Sequence, residues 1–184
     1  MYLGHRGIDG EGVARLVKQL AGRTSELEWL DLGGNPIGDE GASHLADLLV
    51  TNFNVRRLEL GWTLMSAVGA ERLMRALPHS PALRHLGLDR NILGDEGAAR
   101  VADLLASNST LLRLVLGGCS IGCVGAAHLG RALASNSTLR TLGLVSNSIG
   151  DDGAAQLASG LAANSTLVKL WLGDNPFHPV RLVR

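Results

Sequence analysis

Aromatic residues are scarce in this chain, with three Trp, one Tyr and two Phe among 184 residues. A core built without them must be aliphatic, and the few that exist become informative. Cysteine is scarce as well: Cys119 and Cys123, four residues apart, make no disulfide framework. Neither charge is in excess, since 17 Lys plus Arg face 17 Asp plus Glu. Net charge therefore favours neither nucleic acid nor a membrane as partner. No run reaches the roughly 18 uninterrupted apolar residues of a membrane span, and the opening MYLGHRGIDGEG lacks the apolar stretch of a secretory signal. A reducing, cytoplasmic setting is the simplest expectation.

What the chain has is glycine, 24 residues of it, and a repeat. Leu27, Val55, Leu83, Leu111, Leu139 and Leu167 follow one another at intervals of 28 residues. Leu30, Leu58, Leu86, Leu114, Leu142 and Leu170 keep the same spacing, as do Leu32, Leu60, Leu88, Leu116, Leu144 and Leu172. A period in this range marks a solenoid. The units run 27–54, 55–82, 83–110, 111–138 and 139–166, with partial units at 1–26 and 167–184, all in one domain. Within LEWLDLGGN, Leu30 and Leu32 alternate as in a strand buried on one face. After the recurring glycine at Gly41, Gly69, Gly97, Gly125 and Gly153, helical spacing takes over, as in Ala42, Leu45, Leu48 and Leu49. Each unit is predicted to be a strand, a turn, a helix and a return loop. Counting the partial first one, this gives seven short parallel strands.

Asn108, Asn136 and Asn164 each begin an Asn-Ser-Thr triplet, a glycosylation acceptor by pattern. They fall three residues after the helix leucines Leu105, Leu133 and Leu161, and the same place holds Asn52 and Ser80 in two earlier units. What persists is a helix stop, for which asparagine suits because it tolerates left-handed backbone.

The pattern LxxLxLxxN, then IGDEGA, then a helix resembles the ribonuclease-inhibitor-like leucine-rich repeats. That family includes the sensor ends of NOD-like receptors and the Ran GTPase-activating proteins. NPIGDEGA at Asn35–Ala42 is echoed by NILGDEGA at Asn91–Ala98 and NSIGDDGA at Asn147–Ala154. The intervening units put Thr63 and Cys119 where these have Asn and lack the acidic pair, an alternation similar to the two repeat types of that family. The resemblance implies an α/β leucine-rich-repeat solenoid of 28-residue repeats. A curved parallel sheet would line its concave side and helices its convex side. Neither end carries a recognisable polar capping unit. The expectation is a fragment of a longer array, or a structural subunit of a large assembly docked through its ends.

The motifs that suggest chemistry have plainer readings. Asp39-Glu40, Asp95-Glu96 and Asp151-Asp152 sit where carboxylates cap helix N-termini. Cys119, Cys123 and His128 lack a fourth zinc ligand. Cys123 replaces the turn acid at a helix start, which makes it a candidate reactive thiol. GGCSIGCVGAAHLG has no following Lys-Ser/Thr and is a repeat turn rather than a phosphate loop. The histidines, His178 among them, form no triad. No catalytic site, metal or cofactor is expected.

Function should lie on the strands' concave face. The third-position column reads Trp29, Arg57, His85, Arg113, Thr141, Lys169; beside it run Glu28, Arg56, Arg84, Leu112, Arg140, Val168. These columns hold six cations against one acid, of which Arg57 and Arg84 are expected to pair with Asp31 and Glu59 across strands. With Trp29, Trp62 and Trp171 they form a predicted partner-binding band of Trp29, Arg56, Arg57, Trp62, Arg84, His85, Arg113, Arg140, Lys169 and Trp171. The expected partner is a protein with an acidic surface, possession of no recognised nucleic-acid module arguing against RNA or DNA. The resemblance to Ran GTPase activators implies a lesser alternative, for which Arg90 beside Asn91 is the candidate pair.

Overall fold

The computed structural model describes residues 1–20, 27–51 and 54–177; Asn52 and His178, noted above, lie outside the described residues. Strands β1 (Trp29–Asp31), β2 (Arg57–Glu59), β3 (His85–Gly87), β4 (Arg113–Val115), β5 (Thr141–Gly143) and β6 (Lys169–Trp171) form one parallel sheet in chain order. The register pairs each residue with the one 28 positions later: Leu30 faces Leu58, Leu58 faces Leu86, and so on to Leu170. The sequence period and the strand register are therefore the same quantity. The described residues hold six strands rather than seven. The first partial unit adds only a bridge, Tyr2 to Asp31, with Leu3 N–H donating to the Asp31 carbonyl at 2.8 Å.

Among the described residues six α-helices alternate with the strands: α1 (Gly10–Leu20), α2 (Gly38–Thr51), α3 (Ala67–Ala76), α4 (Gly94–Ser107), α5 (Cys123–Ser135) and α6 (Gly150–Ala163). One turn of 3-10 helix, Leu77–His79, follows α3. The strand leucines and helix residues such as Leu45, Leu73, Val101 and Leu129 bury one continuous aliphatic core. The helices start earlier than the spacing suggests, at Gly38 rather than after Gly41. The recurring glycine therefore lies inside the first helical turn. A Cβ on Gly153 would sit 3.0 Å from Cys123 Cα, so this position lets each helix press on the one before.

Two asparagine ladders join the units. Asn91 is buried, and its Oδ1 accepts from the N–H groups of Thr63 (3.2 Å) and Met65 (2.9 Å) in the preceding unit. Its Nδ2 donates to the carbonyls of Leu60 (2.7 Å) and Leu88 (2.9 Å). Asn35 and Asn147 repeat the arrangement. The second ladder stands at the expected helix stops, each asparagine being the C-cap of its helix, and corrects only their left-handed conformation. Asn108, Asn136 and Asn164 have extended backbones, with φ of −73°, −75° and −94°, and act through their side chains. Asn136 Oδ1 accepts from Thr138 and Leu139 N–H, while its Nδ2 donates to the Leu105 and Asn108 carbonyls at 2.8 and 3.0 Å. Nδ2 is the atom a glycan would need, and here it is buried and bonded.

The acidic turns also act between units. Asp39 Oδ1 accepts from Ser66 N–H (2.8 Å) and Gly69 N–H (3.1 Å) at the start of α3. Asp95 Oδ1 accepts from Gly122 (2.6 Å) and Gly125 (2.9 Å) at the start of α5. Each carboxylate caps the next helix instead of its own, which explains why the acids occur in alternate units.

Candidate protein-interaction surface

In β1, β2 and β4 the third and fifth residues are exposed or half-buried on the concave side while the fourth is buried, a consequence of the two-residue strand period; in β3 and β5 the fifth is a buried glycine. In register this places Arg57, His85 and Arg113 side by side. His85 has its pKa lowered, first by burial and then by the charges of Arg57 and Arg113, with Glu59 opposing. The imidazole thus registers a cationic field on this face.

Pairing of the cations differs from the expected pattern. Arg57 Nε bonds Glu59 Oε1 at 2.7 Å within its own strand, and Arg56 lies 3.8 Å from Glu28 across strands. Arg84 meets no carboxylate, because its Nη1 donates to the Pro81 and Leu83 carbonyls at 2.6 and 3.1 Å. Arg140 donates to the Thr166 carbonyl at 3.1 Å. Among the described residues, Arg84, Arg113, Arg140 and Lys169 have no ion pair within 4.0 Å.

Charge divides along the sheet. Glu28, Asp31, Glu59 and Asp89 accompany β1 to β3, whereas the concave positions of β4 to β6 carry Arg113, Arg140, Lys169 and Trp171 with no acid before Asp174. Burial raises the pKa of Asp89 in the first half, against the lowering influence of its own backbone N–H and of Arg90. Each tryptophan lies under an arginine: Arg57 is 5.1 Å from the Trp29 ring centroid, Arg90 5.3 Å from Trp62 and Arg113 4.7 Å from Trp171. Stacking fixes the guanidinium plane and leaves its N–H edges to meet an anion. Trp171 also packs over Gly143, where a Cβ would meet its ring at 3.3 Å.

Trp62 is not on the concave strand face. It stands on the rim beyond β2 in left-handed backbone, φ 58°, and is 60% exposed. The equivalent residue of every unit shares that conformation: His5, Gly34, Arg90, Gly118, Ser146 and Asp174 all have φ between 55° and 70°. Leu64, at φ 60° and 61% exposed, and Ile92, 68% exposed, extend this apolar rim. Strand periodicity did not single them out, because they follow the strands. A signal existed in the aligned column, where Trp62 and Arg90 stand opposite Gly34 and Gly118.

Two hollows meet at Trp62. One, of about 510 Å³, runs along the sheet past Arg57, Arg113, Asp89 and Arg90; the other, about 340 Å³, lies between His5, Pro36, Trp62 and Leu64. Asn91 faces neither, since both ends of its side chain are committed in the core. Cys119 is buried and its thiol pKa is pushed up to about 11, mainly by desolvation, while Cys123 is exposed at the first turn of α5. Among the described residues no group of three or more His, Cys, Asp or Glu is placed to hold a metal ion.

A family model described as Leucine Rich repeat matches residues 27–46 and 135–158. No curated protein matches the chain. Among solved structures, the tropomodulin C-terminal domain of Caenorhabditis elegans is similar, with a TM-score of 0.67 at 18% identity over 82% of this chain and 92% of that one. Leiomodin-1 actin-binding site 2 is similar with a TM-score of 0.59 at 17% identity, covering 90% of this chain and 79% of that one. The fold is an α/β leucine-rich-repeat solenoid.

Proposed function

We propose that the protein is a non-catalytic interaction scaffold that holds an acidic protein surface against the β4–β6 half of its concave face. The observation that carries this reading is the set Arg113, Arg140 and Lys169, cations that no carboxylate among the described residues neutralises. Like charges held on neighbouring strands repel, and an anionic partner relieves that repulsion. Trp171 supplies the aromatic area typical of binding hot spots, with Arg113 already seated on it. The similar leiomodin-1 structure is described as an actin-binding site, which supports a protein as the partner class. The alternation of Asn35 and Asn91 with Thr63 and Cys119 supports the ribonuclease-inhibitor-like subclass, and two free cysteines suit a cytoplasmic setting. GTPase activation through Arg90 and Asn91 is disfavoured by the burial of Asn91.

The test is binding of a synthetic all-glutamate peptide, read by fluorescence anisotropy. Charge reversal at Arg113 and Arg140 should weaken it at least tenfold, while reversal at Arg15 on α1 should not. Equal binding by both variants would refute the assignment to this face.

A further inference from the structure

The rim spends conformational strain on residues that return little to the fold. The left-handed position recurs in every unit, carried freely by Gly34 and Gly118 and by the side chains of His5, Trp62, Arg90, Ser146 and Asp174, among which Trp62 is the large apolar one. Leu64 is a second such residue at φ 60°, while its counterparts Pro36 and Ile92 are not left-handed. Both side chains are more than half exposed, so core packing does not repay the strain. Strained, exposed and apolar residues grouped beside a hollow are a signature of a binding site.

From this we infer that the rim formed by Trp62, Leu64 and Pro36 is an anchor pocket for an aliphatic side chain carried by the acidic segment of the partner. The inference rests on the acidic-partner reading for the charge of that segment. Three observations define the occupant. The smaller hollow is lined by His5, Gly34, Asn35, Pro36, Trp62 and Leu64, with no carboxylate. Exposed His5 lines it and Arg90 lies over Trp62, so the guanidinium at its mouth favours an anionic chain. The larger hollow shares His5, Gly34 and Trp62 with it and is lined beyond them by Asp31, Glu59 and Asp89 as well as Arg57, Arg90 and Arg113. One extended segment can therefore place an aliphatic group on the rim, cross β2 and β3, where Arg57 is already paired with Glu59, and set its carboxylates on Arg113.

The experiment uses two synthetic peptides, one all-glutamate and one with leucines set among the glutamates. They are titrated against the full chain, the double variant Trp62→Gly/Leu64→Gly, and the charge-reversed Arg113/Arg140 variant. The leucine-containing peptide should bind about tenfold more tightly, a gain that corresponds to one buried aliphatic side chain. The glycine variant should lose that gain, keep its affinity for the all-glutamate peptide, and melt about 2–4 °C higher because strain is relieved. A lower melting temperature would mean that Trp62 and Leu64 serve the fold, and would overturn the proposal. So would equal affinities for the two peptides, or a gain that survives in the glycine variant. If only the leucine-containing peptide binds, and charge reversal leaves it unaffected, the rim stands and the concave assignment fails. Binding by neither peptide overturns both.

Discussion

A side-chain amide offers two donors and two lone-pair directions, and Asn91 uses all of them between two repeats. Asn91→Ala orphans the buried N–H groups of Thr63 and Met65 and leaves the Leu60 and Leu88 carbonyls only the Thr63 hydroxyl and the Cys119 thiol. A loss of about 3–5 kcal/mol is expected in urea unfolding, above the cost of a typical substitution. His85 gives the second prediction at this scale. Its lowered pKa means that the folded state resists protonation more than the unfolded chain does. Stability is therefore full above the ordinary histidine value, declines as pH falls through it, and levels off below the lowered folded value. His85→Gln should flatten that part of the profile, and an NMR titration of the imidazole should find the lowered pKa directly. An anion on Arg57 and Arg113 would favour the imidazolium, so binding of the all-glutamate peptide should strengthen as pH falls below neutrality. The sequence put His85 between these arginines because the 28-residue ruler sets columns as well as strands. It set Trp62 in the concave band and passed over Leu64, since the sign of φ is a property of the turn and not of side-chain periodicity.

The helices show the same limit one level up. Their existence, and the buried face of α2 at Ala42, Leu45, Leu48 and Leu49, could be read from spacing. Their starts could not, because helical propensity and turn geometry compete over the few residues before Gly41. The acids at Asp39 and Asp95 were legible as caps, but the helix each one serves was not. That depends on how far successive units lie apart, which no local pattern encodes. Asp95→Ala should destabilise the fold by about 1–2 kcal/mol. Hydrogen exchange should accelerate at Gly122 and Gly125 on α5, leaving the first turn of α4, to which Asp95 belongs, nearly unchanged. The reverse pattern would show that Asp95 caps its own helix.

Across the whole molecule the asparagine ladders and aspartate caps join neighbouring units, spanning 26 to 32 residues in sequence. Two kinds of unit alternate in this wiring, one that supplies a carboxylate and one that receives it. The heritable module of such a chain is therefore the pair. Excising residues 55–110 would bring Asp39 against Gly122 and Gly125, preserving donor and acceptor. Excising 83–110 alone would set two receiving units together and strand the start of α5. A cooperative thermal transition, followed by circular dichroism, should survive the first deletion and weaken in the second. Duplication or loss in steps of two repeats leaves every junction satisfied, so lengthening and shortening of this solenoid should proceed in even numbers.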